Sequence, residues 1–221
     1  MTSFSSARQK MVDGQVRPSD VTDLRIIDAM LAVPREAFVP EGQQGLAYLD
    51  LDIDVSAGGA VKRYLIKPVV IAKMLQAAGI AATDRVLVVG CASGYSAAVA
   101  AKLAVQVVAT ESDAALAAKA KDVLAGLGVA NVTVVAAAAA AGEPSQAPYD
   151  VIILDGATQI APESLYEQLT MGGRLVGVFA AGQPPRVEIV TRSPHDFGNR
   201  PLFDAYAPIL PGMERPAAFI F

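Results

Sequence analysis

The chain has 221 residues, of which 53% are hydrophobic and 18% charged, and its formal net charge is −4. This length is enough to bury one full core and predicts a single domain over residues 1–221. The acidic balance argues against a nucleic-acid surface, which needs a basic face. A single cysteine excludes an internal disulfide and a cysteine-based metal cluster.

The hydrophobic residues are distributed in short runs, and no run in the sequence approaches the roughly 20 apolar residues that span a bilayer. The first ten residues, MTSFSSARQK, lack the apolar segment of a signal peptide. We therefore expect a cytoplasmic protein whose ligand is a small molecule, a protein or both, without nucleic-acid or membrane partners. The oligomeric state is not indicated.

The first 80 residues predict two helices separated by a loop-rich segment that starts at Phe38. In DVTDLRIIDAMLAV (20–33), apolar side chains recur at helical spacing until Pro34 ends the pattern. KPVVIAKMLQAAG (67–79) predicts a second helix, opened by Pro68 and closed by Gly79.

From residue 85 onward, strand-like and helix-like runs alternate. The strand-like runs cover 85–90, 106–111, 132–136, 149–156 and 173–180, and the helix-like runs cover 95–104, 113–128 and 162–170. Continuous apolar strands between amphipathic helices predict an α/β fold with a mostly parallel sheet covered on both faces. Beyond residue 186, two strand-like runs around a Pro/Gly-rich middle predict an antiparallel C-terminal edge.

The first strand of this sheet runs into Gly90-Cys91-Ala92-Ser93-Gly94. A glycine turn at this place is typical of a nucleotide pocket, because ligands of such sheets lie beyond the carboxyl ends of the strands. A dinucleotide fingerprint needs a small residue at position 95, where a tyrosine stands. The spacing instead fits the GxGxG turn of an S-adenosylmethionine (SAM) site.

The second strand ends in Glu111. A carboxylate at this place can accept hydrogen bonds from both ribose hydroxyls of a bound nucleotide. The alternative is a turn glycine next to a solvated glutamate, because short motif matches carry a false-positive risk.

Several blocks, in order, make the chain resemble the protein-L-isoaspartate O-methyltransferases over nearly its whole length. These are MVDGQVRPSDVTDLRIIDAMLAVPREAFVP, AYLDLDIDV, PVVIAKML and APYDVIILDGATQIAPESLYEQLTMGGRLVGV. The resemblance implies the Rossmann-like fold of SAM-dependent methyltransferases and SAM as cofactor. It also implies methylation of isoaspartyl carboxyl groups in a protein or peptide substrate. Residues 1–80 are then the helices and substrate loop, 81–185 the cofactor-binding core and 186–221 the C-terminal strands.

Two acceptors of the family's cofactor site are replaced in this chain. The family motif reads like VLEIGTGSGY, whereas here Val88 stands in place of the acid and Ala92 in place of the central glycine. The family's GDG, whose aspartate holds the adenine amino group, corresponds to 137–139, which are all alanine. Since hydrogen bonds to charged groups are worth roughly 1.5–3 kcal/mol, losing two predicts SAM binding weaker by about a hundredfold to ten-thousandfold.

The predicted substrate loop departs from the family as well. The family's TISQPY aligns with YLIKPV, which puts Ile66 in the place of a serine. Lys62, Arg63 and Lys67 place three cations on this loop. They could receive an acidic ligand or substrate carboxylate, but charged side chains are usually solvated, and we expect surface charge.

Three further residues carry an ordinary and a functional interpretation. Asp155 could take over a cofactor contact or hold a metal, but we expect it to bond loop amides or cap the next helix. Cys91 could be an activated thiol near a helix N-terminus, but we expect a buried filler. His195 lies in SPHDFGN, where we expect a surface loop. The predicted cofactor-binding set is Gly90, Cys91, Ala92, Ser93, Gly94, Glu111 and Asp155, with no metal site and no catalytic residue assigned.

Three functions remain open at this point. The first is a SAM-dependent protein carboxyl methyltransferase whose lost contacts are replaced. The second is a non-catalytic relative that keeps the fold to bind a partner or another ligand. The third, a nucleotide-dependent oxidoreductase, is disfavoured by Tyr95.

Overall fold

The computed structural model describes residues 3–56 and 61–216. Its centre is a seven-stranded sheet built from β3 (Arg85–Val89), β4 (Gln106–Glu111), β5 (Val132–Ala136), β6 (Tyr149–Thr158), β7 (Leu169–Phe179), β8 (Arg186–Arg192) and β9 (Phe197–Asp204). The strand order is β5-β4-β3-β6-β7-β8-β9, and the first five strands are parallel. The last two add antiparallel, which confirms the predicted fold class and edge.

A separate two-stranded antiparallel sheet pairs β1 (Ile53–Asp54) with β2 (Tyr64–Leu65). The helices are α1 (Phe4–Met11), α2 (Leu24–Ala32), α3 (Pro68–Ala78), α4 (Tyr95–Ala101), α5 (Ala114–Gly126) and α6 (Glu163–Tyr166). A π-helical turn, Val12–Val16, continues α1. Among the described helices, none has the length and apolar character needed to cross a membrane.

Both predicted N-terminal helices are present, but α2 begins at Leu24 instead of residue 20. Helix α2 stops before Val33, and α3 begins at Pro68 and is capped by Gly79, whose φ of +57° lies in the left-handed region. Glycine adopts this conformation without the steric cost that a Cβ brings. The hydrophobic patterns alone therefore located both helices.

The predicted helix over 162–170 is wrong in its second half. Helix α6 ends at Tyr166, and Leu169 begins β7 opposite Tyr149 of β6. The amide of Tyr149 donates to the carbonyl of Gln168 at 2.8 Å, and the Gln168 side chain donates to the carbonyls of Ala141 and Ser164. Pairing with β6 thus overrides the local helical pattern.

The C-terminal edge also differs in its composition. Strand β9 runs through Gly198 and Pro201, inside the Pro/Gly-rich middle of the tail. An edge strand tolerates proline because one of its sides needs no ladder hydrogen bonds. The apolar run at the end of the chain, 217–221, lies outside the described residues.

The order in which the chain adds strands reverses between β3 and β6. In such sheets ligands bind beyond the carboxyl ends of the strands at this switch point. The glycine turn follows β3, Glu111 ends β4, and β6 carries Asp155 at the same edge. The fold therefore brings the predicted cofactor residues together.

Candidate cofactor site

The glycine turn after β3 has the backbone that its sequence predicts. Gly90 and Gly94 have φ values of +73° and +100°, and Ala92 adopts +49°. The amides of Gly90 and Cys91 both donate to the carbonyl of Thr110 at 2.8 Å, which ties the turn to β4. Left-handed backbone at a residue with a Cβ carries strain of order 1–3 kcal/mol, so Ala92 is held there by its surroundings.

Glu111 is fully buried and hydrogen-bonded on every side. Its Oε2 accepts from the amide of Ala92 at 2.8 Å. Its Oε1 accepts from the Ser112 hydroxyl and the Asp113 amide, both at 3.1 Å. The carboxylate therefore lies against the glycine turn on one side and the start of α5 on the other.

The remaining partner of Glu111 is Arg63, whose side chain is only 2% exposed. Nε of Arg63 lies 2.9 Å and 3.1 Å from the two carboxylate oxygens, and Nη2 lies 2.9 Å from Oε2. Nη2 also donates to the carbonyl of Gly90 at 2.7 Å. Burial opposes ionisation of Glu111, but the hydrogen bonds and charge of Arg63 outweigh it, so the pKa of Glu111 is lowered.

Arg63 corrects the expectation that the three loop cations are surface charges. Lys62 is exposed and pairs with Asp54 at 2.7 Å, and Lys67 is half-buried. Arg63 precedes β2, and its carbonyl accepts from the amide of Val55 at 2.9 Å. In extended chain successive side chains point to opposite faces, which sends Lys62 to solvent and Arg63 inward.

The open side of the glycine turn is covered by Leu210. A Cβ placed on Gly90 would collide with the Leu210 side chain and lie 2.9 Å from Nη2 of Arg63. A Cβ on Gly156 would lie 2.7 Å from Leu210 Cδ2. Leu210 is held there because its amide donates to the carbonyl of Ala157 at 2.9 Å. The space that these glycines leave is therefore filled by side chains of the same chain.

Asp155 lies in a bulge of β6, where four residue steps from Ile153 to Ala157 oppose two on β7. Bulges re-aim side chains, and this carboxyl group is 99% buried. Neither of its oxygens has a hydrogen-bond partner among the described residues, so the expected bonds to loop amides or a helix cap are wrong.

The environment of Asp155 disfavours its charge. Burial raises its pKa to about 6, although the nearby Ser96 hydroxyl, which does not reach full hydrogen-bond geometry, and the positive charges of Arg63 and Arg35 act in the opposite direction. A buried carboxyl with this pKa titrates close to neutral pH. It is the one predicted site residue whose charge state changes between mildly acidic and mildly basic conditions.

Sequence reasoning missed Arg35, which is 1% exposed and lies beneath the site. Its Nε donates to the carbonyl of Ala47 at 2.9 Å, and its Nη2 to that of Ile66 at 2.8 Å. The guanidinium stacks 4.6 Å from the ring centroid of Tyr95. Arg35 thus fixes the loop that carries Arg63. The only sequence signal was its place in the VPR block.

The other predicted residues lie as follows. The hydroxyl of Ser93 donates to the carbonyl of Phe38 at 2.6 Å. Cys91 is fully buried, and burial raises the pKa of its thiol, opposite to the direction of an activated nucleophile. Tyr95 packs edge-on against Phe38 at 5.6 Å between centroids. His195 is exposed in its loop.

Metal-ligating groups do not cluster in the part of the chain that the structure describes. Within residues 3–56 and 61–216, no three histidine, cysteine, aspartate or glutamate side chains come together to hold an ion. Within these residues Asp155 is therefore not part of such a group of three.

The sequence model of one protein family, described as protein-L-isoaspartate(D-aspartate) O-methyltransferase, matches residues 6–191. The chain belongs to this family. Protein-L-isoaspartate O-methyltransferase 1 of Rhodopseudomonas palustris strain HaA2 is 40% identical over 82% of this chain and 73% of its own length. The relative from Koribacter versatilis is 39% identical over 80% of this chain and 78% of its own.

Solved structures support the same fold. A protein-L-isoaspartate O-methyltransferase superposes with a TM-score of 0.83 at 24% identity, covering 93% of this chain and 66% of that one. A Plasmodium falciparum chain described with the same activity, in complex with S-adenosyl-L-homocysteine, gives 0.76 at 17% identity and covers 92% and 97%. At these identities the likeness establishes architecture.

The acceptor positions of the Glu111 carboxylate are occupied by groups of the chain itself. A carboxylate offers about four acceptor positions, and those of Glu111 are engaged by Arg63, Ala92, Ser112 and Asp113. Val88 is fully buried and supplies no acceptor. As folded here, the Glu111 carboxylate therefore has no acceptor position left for a further donor.

Proposed function

We propose that the chain acts as a methyltransferase on carboxyl groups of protein or peptide substrates, with SAM as donor, after Arg63 has left Glu111. The observation that carries this proposal is the placement of Glu111. It is a buried carboxylate at the end of β4, and it contacts the amide of Ala92 in the glycine turn at 2.8 Å. Family membership and the names of relatives at about 40% identity support it.

The absence of an assigned catalytic acid or base is compatible with this reaction. An isoaspartyl carboxylate has a pKa near 4 and is ionised at neutral pH, so it needs no general base. The protein's contribution is to hold the acceptor oxygen and the donor in line and away from water. The buried Arg35, which fixes the carbonyls of Ala47 and Ile66, would give the substrate side of the site its rigidity.

A second candidate function is a non-catalytic family member that binds a protein partner or another ligand. The Arg63–Glu111 ion pair favours it, because the pair occupies the carboxylate that a ribose would need. The alanines at 137–139 favour it as well, since Ala138 offers a methyl group where an aspartate is expected. Fold alone does not separate the two functions.

Methyl transfer from labelled SAM to an isoaspartyl peptide separates the two candidates. The first function predicts label in the peptide as a base-labile ester and none in a matched aspartyl peptide. Absence of transfer at millimolar SAM, with the protein shown to be folded, would leave the second function. In the same assay Glu111→Gln removes the carboxylate charge and one of its two acceptor oxygens, so any genuine transfer should fall at a temperature where circular dichroism shows that the variant is folded.

The cellular setting stays a prediction. The sequence leads us to expect the cytoplasm, a protein or peptide partner, and neither nucleic acid nor membrane. The single-domain organisation over 1–221 and its three regions, 1–80, 81–185 and 186–221, are proposed on the same basis.

A further inference from the structure

We propose that Arg63 acts as an internal latch on the cofactor site, holding Glu111 in place of the cofactor ribose, so that cofactor and Arg63 exclude each other. This inference rests on the proposed function, because it names what must move before SAM binds. It concerns residues of this chain only, and it is carried by contacts around one carboxylate.

Hydrogen-bond donors of the chain itself occupy the Glu111 carboxylate. Arg63 makes three N–O contacts of 2.9–3.1 Å with the carboxylate and a fourth bond of 2.7 Å to the Gly90 carbonyl. The amides of Ala92 and Asp113 take further acceptor positions. Two ribose hydroxyls would have to replace the guanidinium, because backbone amides at the turn and at the start of α5 cannot leave without unfolding those elements.

The Arg63–Glu111 pair is buried, and the backbone of Arg63 is held in place by neighbouring strands. Both side chains are essentially inaccessible, with exposures of 2% and 0%. Such a pair is held only where its geometry compensates the desolvation of both charges. On the chain side, Arg63 is anchored by the bond from Val55 and by the pairing of β1 with β2.

The surface formed by chain neighbours of the pair carries an open depression. It has a volume of about 510 Å³ and is lined by Val61, Ser112, Pro211 and the first residues of α5. Three of these residues are close chain neighbours of Arg63, Glu111 and Leu210. The depression therefore lies beside the chain segments that carry the latch, and it offers a nucleoside a place from which to approach Glu111 once Arg63 has moved.

The latch is tested by calorimetric titration of S-adenosyl-L-homocysteine into the full chain and into Arg63→Met. The methionine keeps much of the side-chain volume but lacks the guanidinium group, whose Nε and Nη2 bond the Glu111 carboxylate. We expect it to bind at least about tenfold more tightly than the wild type, which corresponds to about 1.4 kcal/mol. Lys62→Met is the matched control, since Lys62 is exposed and bonds Asp54, and its affinity should equal that of the wild type. Equal or weaker binding by Arg63→Met overturns the latch.

A second variant keeps the test decisive if Arg63→Met does not fold, which circular dichroism would reveal. Arg63→Lys retains the buried charge but donates from a single point and cannot form the fork. It should bind S-adenosyl-L-homocysteine several-fold more tightly than the wild type, and equality again overturns the proposal.

The methyl-transfer assay separates failure of the latch from failure of the proposed function. Tighter binding by the Arg63 variants without transfer by any form supports the latch and removes the methyltransferase function. Transfer by the wild type, with affinity unchanged in the variants, supports the function and overturns the latch.

Discussion

Replacement of Asp155 by asparagine should stabilise the protein increasingly as the pH rises. The carboxyl group is buried with both oxygens unpaired, and burial raises its pKa to about 6 from an ordinary value of 3.8. A raised folded-state pKa means that the folded state binds the proton more tightly than the unfolded state does. Stability associated with Asp155 is therefore present below about pH 4 and lost as the pH rises through 6.

The magnitude follows from the pKa difference. At 1.36 kcal/mol per unit, about two units correspond to about 3 kcal/mol of lost stability at pH 8. At pH 5 only about half of that loss has occurred. Asparagine keeps the shape without the charge, so its advantage over the wild type should grow by about 1.4 kcal/mol between pH 5 and pH 8.

Urea unfolding of the wild type and Asp155→Asn at several pH values measures this difference. Unpaired amide atoms of the new asparagine would change the unfolding free energy of the variant by the same amount at every pH. The charge of Asp155 is therefore tested by how the difference between variant and wild type changes with pH. Asp50→Asn, the same substitution at an exposed position, is the matched control. A flat difference for Asp155→Asn itself would mean that the carboxyl group has a partner or solvent that the structure does not place there.

Two further predictions concern the Arg63–Glu111 pair and the lost acceptors. Glu111→Gln should destabilise the protein by about 3–5 kcal/mol at pH 7, because it leaves the Arg63 charge buried without compensation. The pKa of Glu111 is lowered in the folded state, so the stability that this carboxylate contributes is fully present above its ordinary pKa of 4.5 and is lost as the pH falls through the folded-state pKa. The difference in unfolding free energy between variant and wild type, measured with urea, should therefore shrink below about pH 4. A difference that persists undiminished at pH 3 would contradict the assignment. Val88→Glu with Ala138→Asp, introduced into Arg63→Met, should bind S-adenosyl-L-homocysteine at least about tenfold more tightly than Arg63→Met alone; unchanged calorimetric affinity would show that these two positions are not the family's acceptor positions.

The parallel sheet and the location of the site were predictable because they depend on local regularities. Continuous apolar runs between helical runs required a covered parallel sheet. The carboxyl ends of its strands meet at one edge, and this rule alone predicts that Gly90, Glu111 and Asp155 lie close together. The helix predicted over 162–170 was wrong because its last residues pair with Tyr149, a contact that local pattern does not contain.

The closure of the site was not predictable, because it depends on side-chain direction in short irregular segments. Lys62 and Arg63 are adjacent in sequence and carry the same charge. The side chain of Lys62 is nevertheless 61% exposed, whereas that of Arg63 is 2% exposed. Their directions are set by two-residue strands whose register no pattern of that length specifies. Leu210 belongs to the tail beyond residue 191, where the family match ends, and only the folded chain reveals that it covers Gly90.

A crystal structure of the wild-type chain grown with millimolar S-adenosyl-L-homocysteine tests the account most directly. We expect that wherever the ribose contacts the Glu111 carboxylate, the Arg63 guanidinium has moved away from both the carboxylate and the Gly90 carbonyl. A fully occupied ligand beside Glu111, with Nη2 of Arg63 still about 2.9 Å from Oε2, would contradict it.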